Sequence, residues 1–326
     1  MKHVYINEVE YFLPLNKENN LKFLNKIGKN KIVSKKIINK IGIKNRRVAE
    51  KNIYSNNLAI KSAKKVLKKQ NKESVDFLIY CTQTPDYLIP TNACILQDQL
   101  KLKKKIGAFD INLGCSGYVY SLSIAKSLII SGQANNILLI TSDTYSKFIK
   151  KDDLSTRLIF SDSSTSTFIS SKKTKNSYKI LNSTYGTDGS GHKDFILKNF
   201  GTKFRDKTSK DGNYIKMNGA SIFNFTLKEI PTAITHFLKK NNLKLNKIDH
   251  FIFHQANEFI IKNLQKKMKI LKKKVIIDVK DIGNTVSGTI PIVLNKHKKD
   301  IKKGSLILLV GFGVGLSWGI TLIKKN

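Results

Sequence analysis

The sequence predicts an α/β protein with buried, mostly parallel sheets, organised as two similar halves. Three observations carry this. Short apolar runs at 77–80, 108–111, 137–141, 251–253, 275–279 and 306–310 lack polar alternation, as strands covered on both faces do. Helical patterns at about 57–70, 91–100, 115–131, 219–240, 257–268 and 289–298 alternate with these runs. The stretch 170–211 is polar and rich in Gly, Ser and Lys, so it reads as a connector between a half at 1–172 and a half at 173–326. Each half repeats the order helix, strand, helix, strand, helix, strand, strand, a repeat of topology rather than of residues.

Composition bounds the class. The chain has 326 residues, 40% of them hydrophobic and 9% aromatic, enough for a packed core and too apolar for a disordered chain. Cys81, Cys94 and Cys115 are its only cysteines, an odd number that does not suit a disulfide framework. The opening MKHVYINEVEYF has no apolar targeting segment, so a reducing cytoplasm is expected. The apolar stretch 306–323 is long enough to raise a membrane span. Its glycines at 311, 313, 315 and 319 point instead to two strands joined by a tight turn.

The formal charge is +36, carried by lysine, with arginine only at 46, 47, 157 and 205. Phosphate readers usually exploit the guanidinium fork, so this balance reads as a base-composition bias or as attraction to an acidic partner. No helix-turn-helix, RNA-recognition motif or zinc spacing supports a nucleic-acid-binding protein, which stays a remote alternative. The three cysteines are far apart and no His/Cys pair has ligand spacing, so no metal is expected.

Four places can carry chemistry. Cys115 follows a strand and precedes an apolar helix, where free N–H groups favour a thiolate. The alternative is a small buried hydrophobe, the reading given to Cys81 and Cys94. His254 ends the strand 251–253, at the edge where α/β sheets place reactive groups, although a lone histidine is more often structural. Asn284 lies in a Gly-flanked loop and by itself reads as a turn residue. The turn GFGVGLSWG (311–319) can offer backbone N–H groups to an oxyanion. Together, a thiol, an imidazole and a carboxamide at strand ends suit attack on an acyl carbonyl.

FDINLGCSG, FHQAN, IGNTVSGTIP and GFGVGLSWG, in this order, resemble the β-ketoacyl-acyl-carrier-protein synthase III family of the thiolase superfamily. GIKNRR (42–47), TQTPDYLIPTNA (82–93) and MNGASIFNF (217–225) fit as well, so the likeness spans nearly the whole chain. The resemblance implies a thiolase-like fold, two halves each with a mixed five-stranded sheet, layered α-β-α-β-α. It implies that Cys115 takes an acyl group as a thioester, while His254 and Asn284 hold a malonyl thioester and stabilise the enolate left by decarboxylation. The backbone of Cys115, Gly313 and Val314 would form the oxyanion hole. Ile89 would reach a partner's acyl pocket across a homodimer, and Lys266 and Lys267 would dock an acidic acyl carrier protein. No cofactor is implied, only acyl-CoA or acyl-carrier donors and malonyl-carrier as substrates.

Three departures stand out. Val314 replaces the middle glycine of the family's turn, and a β-branched residue resists positive φ. SDSSTSTF (161–168) stands where the family has a glycine-rich segment. Lys36, Leu154 and Phe259 occupy positions where relatives contact coenzyme A. These departures favour a carrier-borne donor. They also motivate a second reading, acyl transfer from Cys115 to a hydroxyl or amine without decarboxylation.

Overall fold

The computed structural model describes residues 2–204 and 210–326. Arg205 and the rest of 205–209, inside the polar connector, lie outside the described residues. The strands are β1 (Tyr5–Phe12), β2 (Lys17–Asn19), β3 (Asn45–Arg47), β4 (Phe77–Cys81), β5 (Gly107–Ile111), β6 (Asn136–Asp143) and β7 (Ser163–Ser170). They continue with β8 (Tyr178–Thr187), β9 (Phe195–Ile196), β10 (Lys216–Met217), β11 (His250–Phe253), β12 (Leu306–Gly313) and β13 (Ser317–Lys325). The α-helices are α1 (Asn20–Lys26), α2 (Lys31–Ile41), α3 (Ser55–Leu67), α4 (Asn92–Gln99), α5 (Gly117–Ile130) and α6 (Leu154–Arg157). They are followed by α7 (Gly219–Lys240), α8 (Glu258–Lys267) and α9 (Thr289–Lys296).

Nine strands join in the order β11-β12-β13-β8-β1-β7-β6-β4-β5, parallel at the two outer ends and antiparallel between. The seam between the halves is slight, since β1 meets β8 only at Tyr5–Lys179 and Ile6–Tyr178. Helices α5 and α9 form the middle layer, with Val119, Leu122 and Ile129 of α5 and Val293 and Leu294 of α9 packed among residues of β1, β6 and β12. Helices α3 and α4 cover one outer face, through Ala59, Val66 and Leu96. Helices α7 and α8 cover the other, through Ile230, Ile234, Ile261 and Leu264. The result is the expected α-β-α-β-α layering. Burying apolar surface on both faces of each sheet is what the unalternating strands demanded.

Two expectations need correction. The run 275–279 is not a strand; it contributes a single bridge, Val275 to Phe251, so the C-terminal half has four full strands rather than five. The physical reason is the Gln255 side chain. Its Oε1 accepts from Asp278 N–H (2.8 Å) and its Nε2 donates to the Ile276 carbonyl (3.3 Å), taking the place of a ladder. Cys94 is exposed on α4 rather than packed in the core.

Strand β7 was invisible to apolar patterning. SSTSTFIS is buried along its whole length, and most of its hydroxyls find partners inside the protein, Ser163 Oγ being the exception. Ser164 and Ser166 bond Ser62 of α3, and Thr165 bonds Thr141. Small side chains let α3 lie close on the strand, with the Ser164 and Ser166 hydroxyls meeting that of Ser62.

Candidate active site

Cys115, His254 and Asn284 line one narrow cavity of about 100 Å³, with Phe312, Gly313 and Val314 completing the floor. Ile159, Phe160, Phe195, Met217 and Ile222 make the rest of the wall apolar. No helix among the described residues is long and apolar enough to cross a membrane, and no group of His, Cys, Asp or Glu among them could hold a metal ion.

Cys115 sits on the turn that leads from β5 into α5, just before the N-cap Ser116. The expectation of a lowered thiol pKa does not hold for the resting protein. Burial pushes the thiol up to about 12, and the Asp143 charge adds to this, against the N–H groups of Val314 and Cys115. The resting group is a neutral thiol, and those two amides already face the sulfur. Gly313 has φ +155, and a Cβ there would stand 3.0 Å from Cys115 Sγ, so only glycine fits. The positive φ angles of the turn fall on Gly313 and Gly315, which accommodate them, whereas Val314 has no positive φ.

His254 follows β11 and is fully enclosed, its ring edge-on to Phe312 at 5.6 Å. Burial lowers its pKa to about 3, so the imidazole is neutral at physiological pH. Its Nδ1 lies 2.7 Å from Thr289 Oγ1, which itself lies 3.1 Å from the Val286 carbonyl. Asn284 is set by its own turn. Its N–H donates to the Ile159 carbonyl (2.9 Å) and its Oδ1 accepts from Val286 N–H (2.9 Å). The carboxamide Nδ2 is then the end left to serve a ligand. Val286, between them, has φ 56 and is wholly buried, a strained position for a β-branched residue. No feature of the sequence singled it out.

The other expected positions lie outside the cavity. Ile89 is 88% exposed, beside exposed Tyr87 and Leu88, and does not line this chain's own cavity. Lys266 and Lys267 are exposed in the last turn of α8, the helix whose Ile260 lines the cavity. Lys36 is exposed on α2, Leu154 is half-buried, and Phe259 stacks on Phe223 with centroids 5.3 Å apart and Lys40 over its ring.

This layered architecture is shared with solved thiolase-like proteins, and it places the chain in that class of acyl-handling enzymes. A 2.1 Å crystal structure of a 3-oxoacyl-(acyl-carrier-protein) synthase III matches with a TM-score of 0.91 and 36% identity, over 99% of both chains. The synthase III of Thermus thermophilus matches with a TM-score of 0.88 and 30% identity, over 98% of this chain and 99% of that one. The family models for 3-oxoacyl-[acyl-carrier-protein] synthase III and for its C-terminal part match residues 109–189 and 238–325. A β-ketoacyl-[acyl-carrier-protein] synthase III of Clostridium perfringens strain 13 is 37% identical over 276 residues, 83% of this chain and 84% of that protein. That of Clostridioides difficile is 35% identical over 295 residues, 88% and 89% of the two chains. The chain belongs to the β-ketoacyl-acyl-carrier-protein synthase III family.

Proposed function

We propose that the protein starts acyl-chain synthesis by condensing a Cys115-bound acyl group with a malonyl-carrier thioester. The observation that carries this reading is the shared cavity: a thiol, a neutral imidazole and a carboxamide meet in one apolar pocket with two amides aimed at the sulfur. In the first half-reaction Cys115 Sγ attacks the acyl thioester. Its oxyanion takes N–H bonds from Cys115 and Val314, and the thiol proton leaves with the released carrier or coenzyme A thiol. In the second, His254 and Asn284 donate to the malonyl thioester oxygen and hold the enolate as CO₂ departs. The enolate carbon then attacks the acyl-enzyme carbonyl, a C–C bond forms, and the Cys115 sulfur is expelled and reprotonated.

The reaction needs no organic cofactor. An acidic acyl carrier protein suits the exposed lysines at the end of α8, the helix whose first turn lines the cavity, because charge complementarity speeds docking. The apolar edge Tyr87–Leu88–Ile89 suits a second copy of the chain, with Ile89 entering that copy's acyl pocket. A free thiol nucleophile is at home in a reducing cytoplasm.

The test is intact mass and product analysis with malonyl-carrier and a panel of acyl donors. Wild type should gain one acyl mass and release a β-ketoacyl product; Cys115→Ala should do neither. Acyl-enzyme without any C–C product across the panel would overturn the reading in favour of transfer to another acceptor.

Thr289 offers a finer check. Its one hydroxyl proton serves either His254 Nδ1 or the Val286 carbonyl. Only the first choice leaves the ring proton on Nε2, where it can donate to a thioester oxygen. Thr289→Val should force Nδ1–H onto the carbonyl and lower condensation by about tenfold, on the scale of a lost orienting partner. Unchanged turnover would show that the tautomer is set elsewhere.

A further inference from the structure

Asp143 ends β6 beneath the cavity, 1% exposed, and no salt bridge among the described residues includes it. A buried carboxylate without a cation is costly to keep, so its hydrogen bonds identify what it does. Oδ1 accepts from Gln83 N–H (2.8 Å) and from the hydroxyls of Thr82 (3.3 Å) and Thr84 (3.4 Å). Oδ2 accepts from Ser287 Oγ (2.9 Å).

The two oxygens therefore grip two different pieces of the site. On one side, the Gln83 side chain fills the space over Gly114, where a Cβ would fall 2.4 Å from its Oε1, directly before Cys115. On the other, Ser287 follows strained Val286, whose N–H orients Asn284 and whose carbonyl is shared with the Thr289 hydroxyl beside His254. Holding a left-handed valine takes surrounding structure that over-determines it, and Ser287 is the adjoining anchor.

We propose that Asp143 is a positioning residue for condensation: one buried carboxylate clasps the loop behind Cys115 to the turn that carries Asn284. This rests on the function proposed above, because it assigns Asn284 to the second half-reaction. The clasp predicts that loosening it harms condensation more than acylation, since acylation uses the Cys115 turn and its amides. The carboxylate charge also acts on the thiol directly. Burial raises the Asp143 pKa to about 7; burial first, and its charge in addition, raise those of Cys115, of Tyr80 and Cys81 on β4, and of Tyr145 beyond β6. The turn 284–288 brings no titratable group to it.

The experiment measures both half-reactions separately in wild type, Ser287→Ala, Asp143→Ala and Asp143→Asn, with folding checked by circular dichroism. Acylation is read by intact mass with an acyl-CoA or acyl-carrier donor, and condensation by single turnover of the acyl-enzyme with malonyl-carrier. Ser287→Ala and Asp143→Ala should acylate within about threefold of wild type and condense at least tenfold more slowly. Asp143→Asn keeps an acceptor for the 82–84 loop and an amide for Ser287 Oγ, so condensation should return to within about threefold. Its Cys115 should alkylate with iodoacetamide at lower pH than in wild type, because the repelling charge is gone. If Asp143→Ala fails to fold, Ser287→Ala alone carries the ratio. Equal slowing of both half-reactions in Ser287→Ala, unchanged condensation in it, or an unshifted alkylation profile in Asp143→Asn would overturn the proposal. A wild type that takes no acyl group would instead overturn the proposed function, and the alkylation shift, which needs no acyl donor, still decides on Asp143.

Discussion

His254→Ala should leave Cys115 able to take an acyl group while slowing condensation by about two to three orders of magnitude, the usual cost of losing one pre-aimed oxyanion donor. The imidazole lies in the apolar cavity, neutral, held by a T-shaped contact with Phe312 and by Thr289 at Nδ1. In the proposed first half-reaction nothing draws on it, because the acyl oxyanion is assigned to the backbone amides that face the sulfur. A pre-steady-state acylation burst of normal size with almost no ketoacyl product is the expected signature. Loss of the burst as well would mean that His254 serves acylation. The pH behaviour follows from burial. With a folded pKa of about 3 against an ordinary value near 6.5, the folded state refuses a proton that the unfolded chain accepts. Its contribution to stability is full above pH 6.5 and is lost as pH falls from there toward 3. Denaturant titrations should therefore show wild type losing stability over that window more steeply than His254→Ala. An identical slope would place the histidine in contact with water.

Arg46→Met should destabilise the fold by about 1–3 kcal/mol, the range for leaving a buried acceptor unsatisfied. Arg46 is 1% exposed, among the largest fully buried side chains of the molecule. Its guanidinium meets Glu18, donates to the Phe160 carbonyl (2.8 Å) and to Asn20 Oδ1 (3.2 Å), and shares Glu18 with Arg157. Methionine fills much of the volume and supplies none of the donors, so the buried Phe160 carbonyl and Asn20 Oδ1 lose theirs, while Glu18 keeps Arg157. Phe160 is a wall of the cavity, and the next residue, Ser161, donates its N–H to the Asn284 carbonyl. Activity should fall together with the midpoint of chemical unfolding. A midpoint within experimental error of wild type would show that water already relieves this cluster.

The three polar side chains that meet in the cavity were legible because each announces itself locally. Cys115 and His254 each sit where an apolar strand gives way to glycine or to a helix start, and Asn284 follows an apolar run and a glycine, punctuation that survives in one dimension. The layers were legible for the same reason, as apolar runs too short for helices and too unbroken for half-exposed strands. What escaped has no local signature. β7 is a run of serines and threonines whose partners, Ser62 and Thr141, are remote in sequence. Val286 looks like any core valine until its φ is known. Asp143 reads as a strand-end acid, yet its role depends on Ser287, 144 residues away. The strand expected at 275–279 failed because one glutamine side chain outcompeted the backbone for its partners, a contest that hydrophobicity does not record.

The turn after β12 puts its whole conformational demand on Gly313 and Gly315 and none on the residue between them. Position 314 keeps its amide on the sulfur whatever side chain it bears, while that side chain forms part of the chamber wall. Under the proposed function, reactivity falls to the main chain and selectivity to the side chain of a single residue, so substitutions there should retune which acyl groups are accepted more than how they react.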